Sequence, residues 1–167
     1  LHLLSRRQRQ MCIRDRFKGM IFMGADGDTV KLLKECDSGI QMGISAINDV
    51  INDVKSSDFR SLLNESRSHH EMLQNEINGL LDVHNDDGKN PTPMAKGMSW
   101  IKTNVKMAMD NSDNTVADLI TDGCNMGVKS LSRYLNQYKS ADRISKDITS
   151  RLIKIEDELA TDIRQFL

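Results

Sequence analysis

The chain has 167 residues, of which 4% are aromatic, and a formal net charge of -1. This length suits one domain with a single core, and the scarcity of aromatic residues disfavours a β-rich fold. No apolar run is long enough for a transmembrane helix, and three cysteines are too few for a disulfide framework. The sequence therefore predicts a soluble, cytoplasmic helical protein with no membrane partner.

The first 19 residues differ in charge from the rest of the chain. Residues 1–19 carry six Arg or Lys side chains against a single Asp. Residues 5–16 resemble the translation of a sequencing-library adaptor. We therefore interpret 1–19 as a non-native or disordered head, expect the native start at Met20 or Met23, and assign the folded domain to residues 28–167. That domain is mildly acidic and has no basic face, so we expect no nucleic-acid partner.

Apolar residues three and four positions apart predict a first helix with Asp28 as its N-cap. A short polar turn at 55–58 follows, and it favours an antiparallel second helix over 59–83. Ser66 and His70 occupy two positions of the second helix's inward stripe. The other inward positions predicted for these two helices are Val30, Leu33, Ile40, Ile44, Ile47, Ile51, Val54, Phe59, Leu63, Leu73, Ile77 and Leu80.

A polar loop is predicted over 84–93, where Gly and Pro interrupt the helical pattern. A short helix from Met94 to Met109 follows it. The fourth helix then spans 115–138, and a tight turn leads into a last helix that runs to the C-terminus. The inward positions predicted for the last helix are Ile148, Leu152, Ile155, Leu159, Ile163 and Phe166.

Two glycine-containing windows recur in the first and fourth helices. Gly39, Met42 and Gly43 of the first window are repeated as Gly123, Met126 and Gly127. The helices after each window also align, with Glu156 at the position equivalent to His70. Because Gly in a helix costs about 0.5–1 kcal/mol relative to Ala, the four glycines need a reason. We expect them to allow close packing of the two helices; the alternative is room for a ligand against exposed backbone.

A bundle of two pseudo-repeated antiparallel hairpins joined by a long crossover resembles the ferritin-like fold. Residues 97–102, Gly-Met-Ser-Trp-Ile-Lys, and the helix after them resemble a bacterial ferritin-like family of unknown function. The resemblance covers residues 28–167. It implies a bacterial, all-α, ferritin-like four-helix bundle with an extra short helix in the crossover.

Ferritin-like metal enzymes hold two irons with one Glu on each of two helices and a Glu-x-x-His on each of the other two. Here Ser66 precedes His69 by three residues, Arg67 precedes His70 by three, and the last helix has no histidine. Gly43 and Gly127 stand where inward carboxylates would be expected. The sequence therefore argues against a standard di-iron enzyme, and we assign no catalytic residue.

Three polar residues, Asp37, His70 and Glu156, remain on inward stripes. A buried ionised side chain must be paired or coordinated, so they form either a hydrogen-bonded structural set or a site for a single Fe or Zn. We expect a non-enzymatic protein that has no cofactor and acts through a protein partner or as a homo-oligomer. The alternative is a metal-binding or redox protein with a reduced site around Asp37 and His70.

Overall fold

The computed structural model describes the backbone of residues 3–84 and 112–167 and the side chains of residues 27–84 and 112–167. These ranges contain four α-helices and no strand, which confirms the predicted all-α class. The elements are α1 (Leu3–Val50), α2 (Ser57–Val83), α3 (Asp113–Gln137), α4 (Arg143–Asp162) and a 3-10 helix (Ile163–Phe166). The predicted short helix at 94–109 lies outside the described residues, and the non-native head stays a prediction.

Side-chain caps explain where three of the helices begin. Ser56, Ser112 and Asp142 each accept a hydrogen bond from the backbone N–H three residues later, which satisfies a donor that the first turn leaves unpaired. Asp28 does not have its predicted role as an N-cap, because α1 runs straight through it. Its Oδ2 instead accepts a hydrogen bond of 3.1 Å from the backbone N–H of Ser140, across the bundle.

Each hairpin turn is held by the first helix of the other hairpin. The Asp113 carboxylate accepts the backbone N–H groups of Lys55 and Ser56 at 2.7 and 2.8 Å, so α3 holds the α1–α2 turn. At the other end, the Asp28 carboxylate of α1 accepts the backbone N–H of Ser140 in the α3–α4 turn. Hydrogen bonds to ionised carboxylates are stronger than neutral ones. The two hairpins are therefore joined at both ends of the bundle.

Cross-helix contacts define the direction of each helix. Arg67 donates to Asn48 while the later Gln74 donates to the earlier Asp37, so α1 and α2 are antiparallel. Cys36 of α1 contacts Thr149 of α4, and three residues later in both helices Gly39 lies next to Leu152. Because the contacts advance in the same direction along both helices, α1 and α4 are parallel. Since the short turn returns α3 antiparallel to α4, the order is up, down, down, up.

Two apolar clusters fill the core, and a polar layer separates them. The layer contains one residue from each helix: Gly43 of α1, His70 of α2, Gly127 of α3 and Glu156 of α4. Below and above it, the clusters are built mainly from the predicted inward stripes. The buried predicted positions are Leu33, Ile40, Ile47, Val54, Phe59, Leu63, Leu73, Ile77, Ile148, Leu152, Leu159 and Ile163.

The stripe of α2 ends differently from the prediction. The last inward residue is Leu81, which is buried, whereas the predicted Leu80 is only partly buried. Leu73, Ile77 and Leu81 are spaced four residues apart and therefore lie on the same face of the helix. Among the helices that the structure describes, none has both the length and the apolar character to cross a membrane.

Candidate functional site

A cleft of ≈ 500 Å³ lies between α1 and α3. Both glycine windows line it, and Met42 and Met126 flank its mouth with 39% and 53% of their surface exposed. Its volume falls within the roughly 300–1,000 Å³ of ordinary small-molecule sites. The residues of the two windows in its lining are Gly39, Met42, Gly43, Gly123, Met126 and Gly127.

His70 and Glu156 form the polar floor of the cleft. His70 is only 1% exposed, and its Nε2 lies 3.2 Å from Glu156 Oε1. Its Nδ1 lies 2.8 Å from the Ser66 carbonyl oxygen. A carbonyl oxygen only accepts, so Nδ1 carries a hydrogen, and a protonated ring would donate from Nε2 to the Glu156 carboxylate. With the ring protonated, the charges of His70 and Glu156 cancel.

The electrostatics of the floor favour a charged His70. Burial disfavours the imidazolium, but the hydrogen bond and negative charge of Glu156 outweigh burial, and the Ser66 carbonyl adds to them. The pKa of His70 is therefore raised above its ordinary 6.5. His70 and Glu156 thus form a buried ion pair, and the second ring N–H of His70 donates to the Ser66 carbonyl oxygen. A buried ion pair is stable only when its remaining polar atoms are also hydrogen-bonded.

Cys124 of α3 completes the floor, and the sequence patterns did not point to it. Burial raises the pKa of its thiol, and the charge of Glu156 and a hydrogen bond to Glu156 raise it further. The thiol therefore stays protonated and is a poor nucleophile. The sequence feature that could have identified Cys124 is its position directly after Gly123, in the stripe of α3 that faces α4.

The four glycines have different surroundings. A Cβ at Gly43 would lie 3.0 Å from His70 Nε2, and one at Gly127 would lie 3.3 Å from Glu156 Cδ. At Gly39 the nearest such atom is 4.0 Å away, and at Gly123 no atom of the described residues lies within 4 Å. Gly43 and Gly127 thus make room for the His70–Glu156 pair. An added Cβ at Gly39 would be in ordinary contact with Leu152, and only Gly123 faces space that is open among the described residues. The expected close packing of α1 and α3 at these four glycines stays a prediction, as does its alternative of room for a ligand.

Asp37 has other partners than the pair. Its carboxylate accepts from Gln41 at 2.6 Å and from Gln74 at 3.4 Å. It precedes Gly43 by six residues, roughly 9 Å along the axis of α1. The structure thus brings His70 and Glu156 together and leaves Asp37 in a separate hydrogen-bonded cluster.

The described residues do not fit a ferritin-like metal centre. Over 27–84 and 112–167, no three or more His, Cys, Asp and Glu side chains are grouped so that they could hold a metal ion. The layer where α1 and α3 would supply carboxylates has Gly43 and Gly127, whose missing side chains are replaced by His70 and Glu156. The single Fe or Zn site stays a prediction that these contacts do not support.

Comparisons of the chain with protein-family models, curated proteins and solved structures find no match. The site is therefore interpreted from its own geometry, and the ferritin-like resemblance stays a prediction.

Proposed function

We propose that this chain is a non-enzymatic binding protein that holds a small, mostly apolar molecule in the cleft between α1 and α3. The observation that carries the proposal is the space beside Gly123, which is open among the described residues; at Gly39, which also lines the cleft, an added Cβ would be in ordinary contact with Leu152 at 4.0 Å. Among the described residues, no neighbouring side chain requires a glycine at either position, although each costs the helix about 0.5–1 kcal/mol. What each glycine provides is space in the cleft and access to the helix backbone.

The other lining residues suit such a ligand. Met42 and Met126 at the mouth are flexible and polarizable, and such side chains adapt to apolar molecules of different shape. Ile47, Ile120 and Leu131 supply fixed apolar walls, so burial of apolar surface would drive binding.

A binding role without catalysis is supported by how the floor is bonded. Both ring nitrogens of His70 have protein partners, and the raised pKa of Cys124 keeps its thiol protonated. General bases and nucleophiles need a lone pair directed at the substrate. In this floor the polar groups are directed at one another.

The decisive variant is Gly123→Leu, because its side chain would enter the cleft with no described atom to displace near Cβ. Gly79→Leu is the matched control, since Gly79 also lies in a helix with no described atom within 4 Å of an added Cβ but does not line the cleft. We expect a neutral apolar dye, N-phenylnaphthylamine, to bind the wild-type protein and the control saturably at one site. The Gly123→Leu protein should lose that binding while its helical circular dichroism is retained.

Unchanged dye binding by folded Gly123→Leu protein would contradict the proposal. Should that variant not fold, the smaller Gly123→Ala change is expected to weaken dye binding instead. Light scattering of the same samples tests the competing occupant, a second copy of the chain. A wild-type dimer that Gly123→Leu dissociates would refute the small-molecule proposal and support the predicted homo-oligomer.

For the fold we propose a bacterial, cytoplasmic, ferritin-like bundle of two pseudo-repeated hairpins. The up, down, down, up order supports this, because ferritin-like bundles have one long crossover between two hairpins. The equivalent pairs also support it: Gly43 lies beside His70, and Gly127 lies beside Glu156. Duplication of one ancestral hairpin would place these four residues in a single layer.

A further inference from the structure

The charge of the cleft is one-sided. The charged or ionisable residues of its lining are Glu35, Asp49, His70, Cys124, Tyr134 and Glu156. Among the described lining residues there is neither Lys nor Arg. Since His70 and Glu156 are neutral as a pair, Glu35 and Asp49 leave the lining with two formal negative charges.

These two carboxylates lie at opposite ends of the cleft. Both belong to α1, and the helical rise separates them by roughly 21 Å, with Gly43 between them. The lining between them is apolar apart from the floor and a few hydroxyl groups. An elongated molecule fits this distribution better than a compact one.

The Glu35 end is the better place for a ligand's polar group. Ser38 lies one helical turn after Glu35 and lines the same end, together with Tyr134. Asp49, at the other end, already has an interaction within the protein. Burial and the charge of Glu35 together raise the pKa of the nearby Tyr138, so the negative field at this end also affects a neighbouring group.

We propose that the ligand is an elongated aliphatic amine, with its ammonium group beside Glu35 and its alkyl chain along the glycine-lined middle of the cleft. This inference rests on the proposed function and names the ligand class. Complementary charge selects the cation, and an anionic head group would be repelled by Glu35 as it loses its water. The alkyl chain would cover the backbone at Gly39 and Gly123.

Displacement of the bound dye by octylammonium, octanol and octanoate tests this, since the three share a chain and differ in charge. We expect octylammonium to compete best and octanoate worst, with the amine's advantage shrinking as salt is raised. Glu35→Gln should weaken octylammonium about three-fold, the size of a partly exposed ion pair, and leave octanol unchanged. Glu65→Gln, an exposed carboxylate of α2 outside the lining, is the control and should change neither.

Octanol that competes as well as octylammonium would overturn the amine proposal while the binding function stands. Equal weakening of both ligands by Glu35→Gln would overturn it too, because the effect would then be unrelated to charge. Absence of dye binding in the wild-type protein would instead be a failure of the proposed function. The two failures are thus distinguished in one titration.

Discussion

Among the described residues, the α2–α4 side of the bundle is closed by paired side chains, whereas the α1–α3 side has a cleft lined by glycines. On the closed side, His70 meets Glu156 in the interior and Arg151 Nη1 meets Glu76 Oε2 at 2.9 Å on the surface. On the α1–α3 side, Gly123 faces space in which an added Cβ would meet no described atom within 4 Å. Both sides contribute to the layer of Gly43, His70, Gly127 and Glu156, but the side chains of that layer come from α2 and α4.

Side chains of α2 and α4 fill only part of the space that the glycines of α1 and α3 leave. His70 and Glu156 extend under Gly43 and Gly127 and fill the space that those residues leave. In the part of the chain that the structure describes, no side chain extends under Gly123 in the same way. Among the described residues, the cleft therefore lies where no neighbouring side chain fills the space beside Gly123.

The largest effect is expected from breaking the interior pair of the closed side. Glu156→Ala leaves His70 buried without its partner, and removal of one member of a buried ion pair costs about 3 kcal/mol or more. Glu76→Ala, which breaks the exposed pair with Arg151, should cost less than about 1 kcal/mol. Urea unfolding of both variants measures the difference. Equal losses would show that the interior pair is no more important than the surface pair.

The pH dependence of stability tests the charge state of the same pair. Because the folded-state pKa of His70 is raised above 6.5, its protonation stabilises the fold fully below that pH. This stabilisation is lost as pH rises through the raised pKa, with a slope of at most about 1.4 kcal/mol per pH unit. Its titratable neighbours are Glu156 on α4 and, through Glu156, Cys124 on α3.

His70→Gln removes this titration, and the exposed neighbour His69 supplies the control, His69→Gln. We expect the free energy of unfolding of the wild-type and His69→Gln proteins to fall between neutral and alkaline pH more steeply than that of His70→Gln. Parallel profiles for all three proteins would refute a protonated His70.

Replacement of single glycines by alanine should change the free energy of unfolding by a smaller amount, and the sign should differ between Gly43 and Gly123. Gly43→Ala places a Cβ 3.0 Å from His70 Nε2, and His70 is held at both ring nitrogens, so we expect destabilisation by about 1 kcal/mol. Gly123→Ala and the surface control Gly79→Ala meet no described atom and should each stabilise by about 0.5–1 kcal/mol. Thermal melting of the three proteins gives the order. Stabilisation by Gly43→Ala would show that the pair can move away.

Much of the fold could be predicted because its signals are local. The spacing of Phe59, Leu63 and Ile77 indicated the inward face of α2, and the same stripe placed His70 inside, where the structure has it. The alignment of the two helices that follow the windows put Glu156 at the position equivalent to His70, and these two residues form the pair. Periodicity and sequence repeats need no knowledge of the neighbouring helices.

Contacts between helices were predicted less well. Asp28 has the residue type of an N-cap, yet its partner is the backbone of Ser140, which only the fold brings near. Asp37 lies on an inward stripe, but the rotation of α1 directs it to Gln74. Such contacts depend on how each helix is rotated about its own axis. An apolar stripe predicts that rotation only to within a broad angle.

By itself, the sequence determined four amphipathic helices, their short turns, an inward His70 and two equivalent glycine windows. Only the tertiary structure decided that His70 Nε2 lies 3.2 Å from Glu156 Oε1, that Cys124 joins this pair, and that the described residues leave a cleft above it. The physical reason lies in the glycines. The absence of a side chain at a glycine can be read from the sequence. Whether a neighbouring side chain fills that space depends on the distance between α1 and α3, which only the tertiary structure gives.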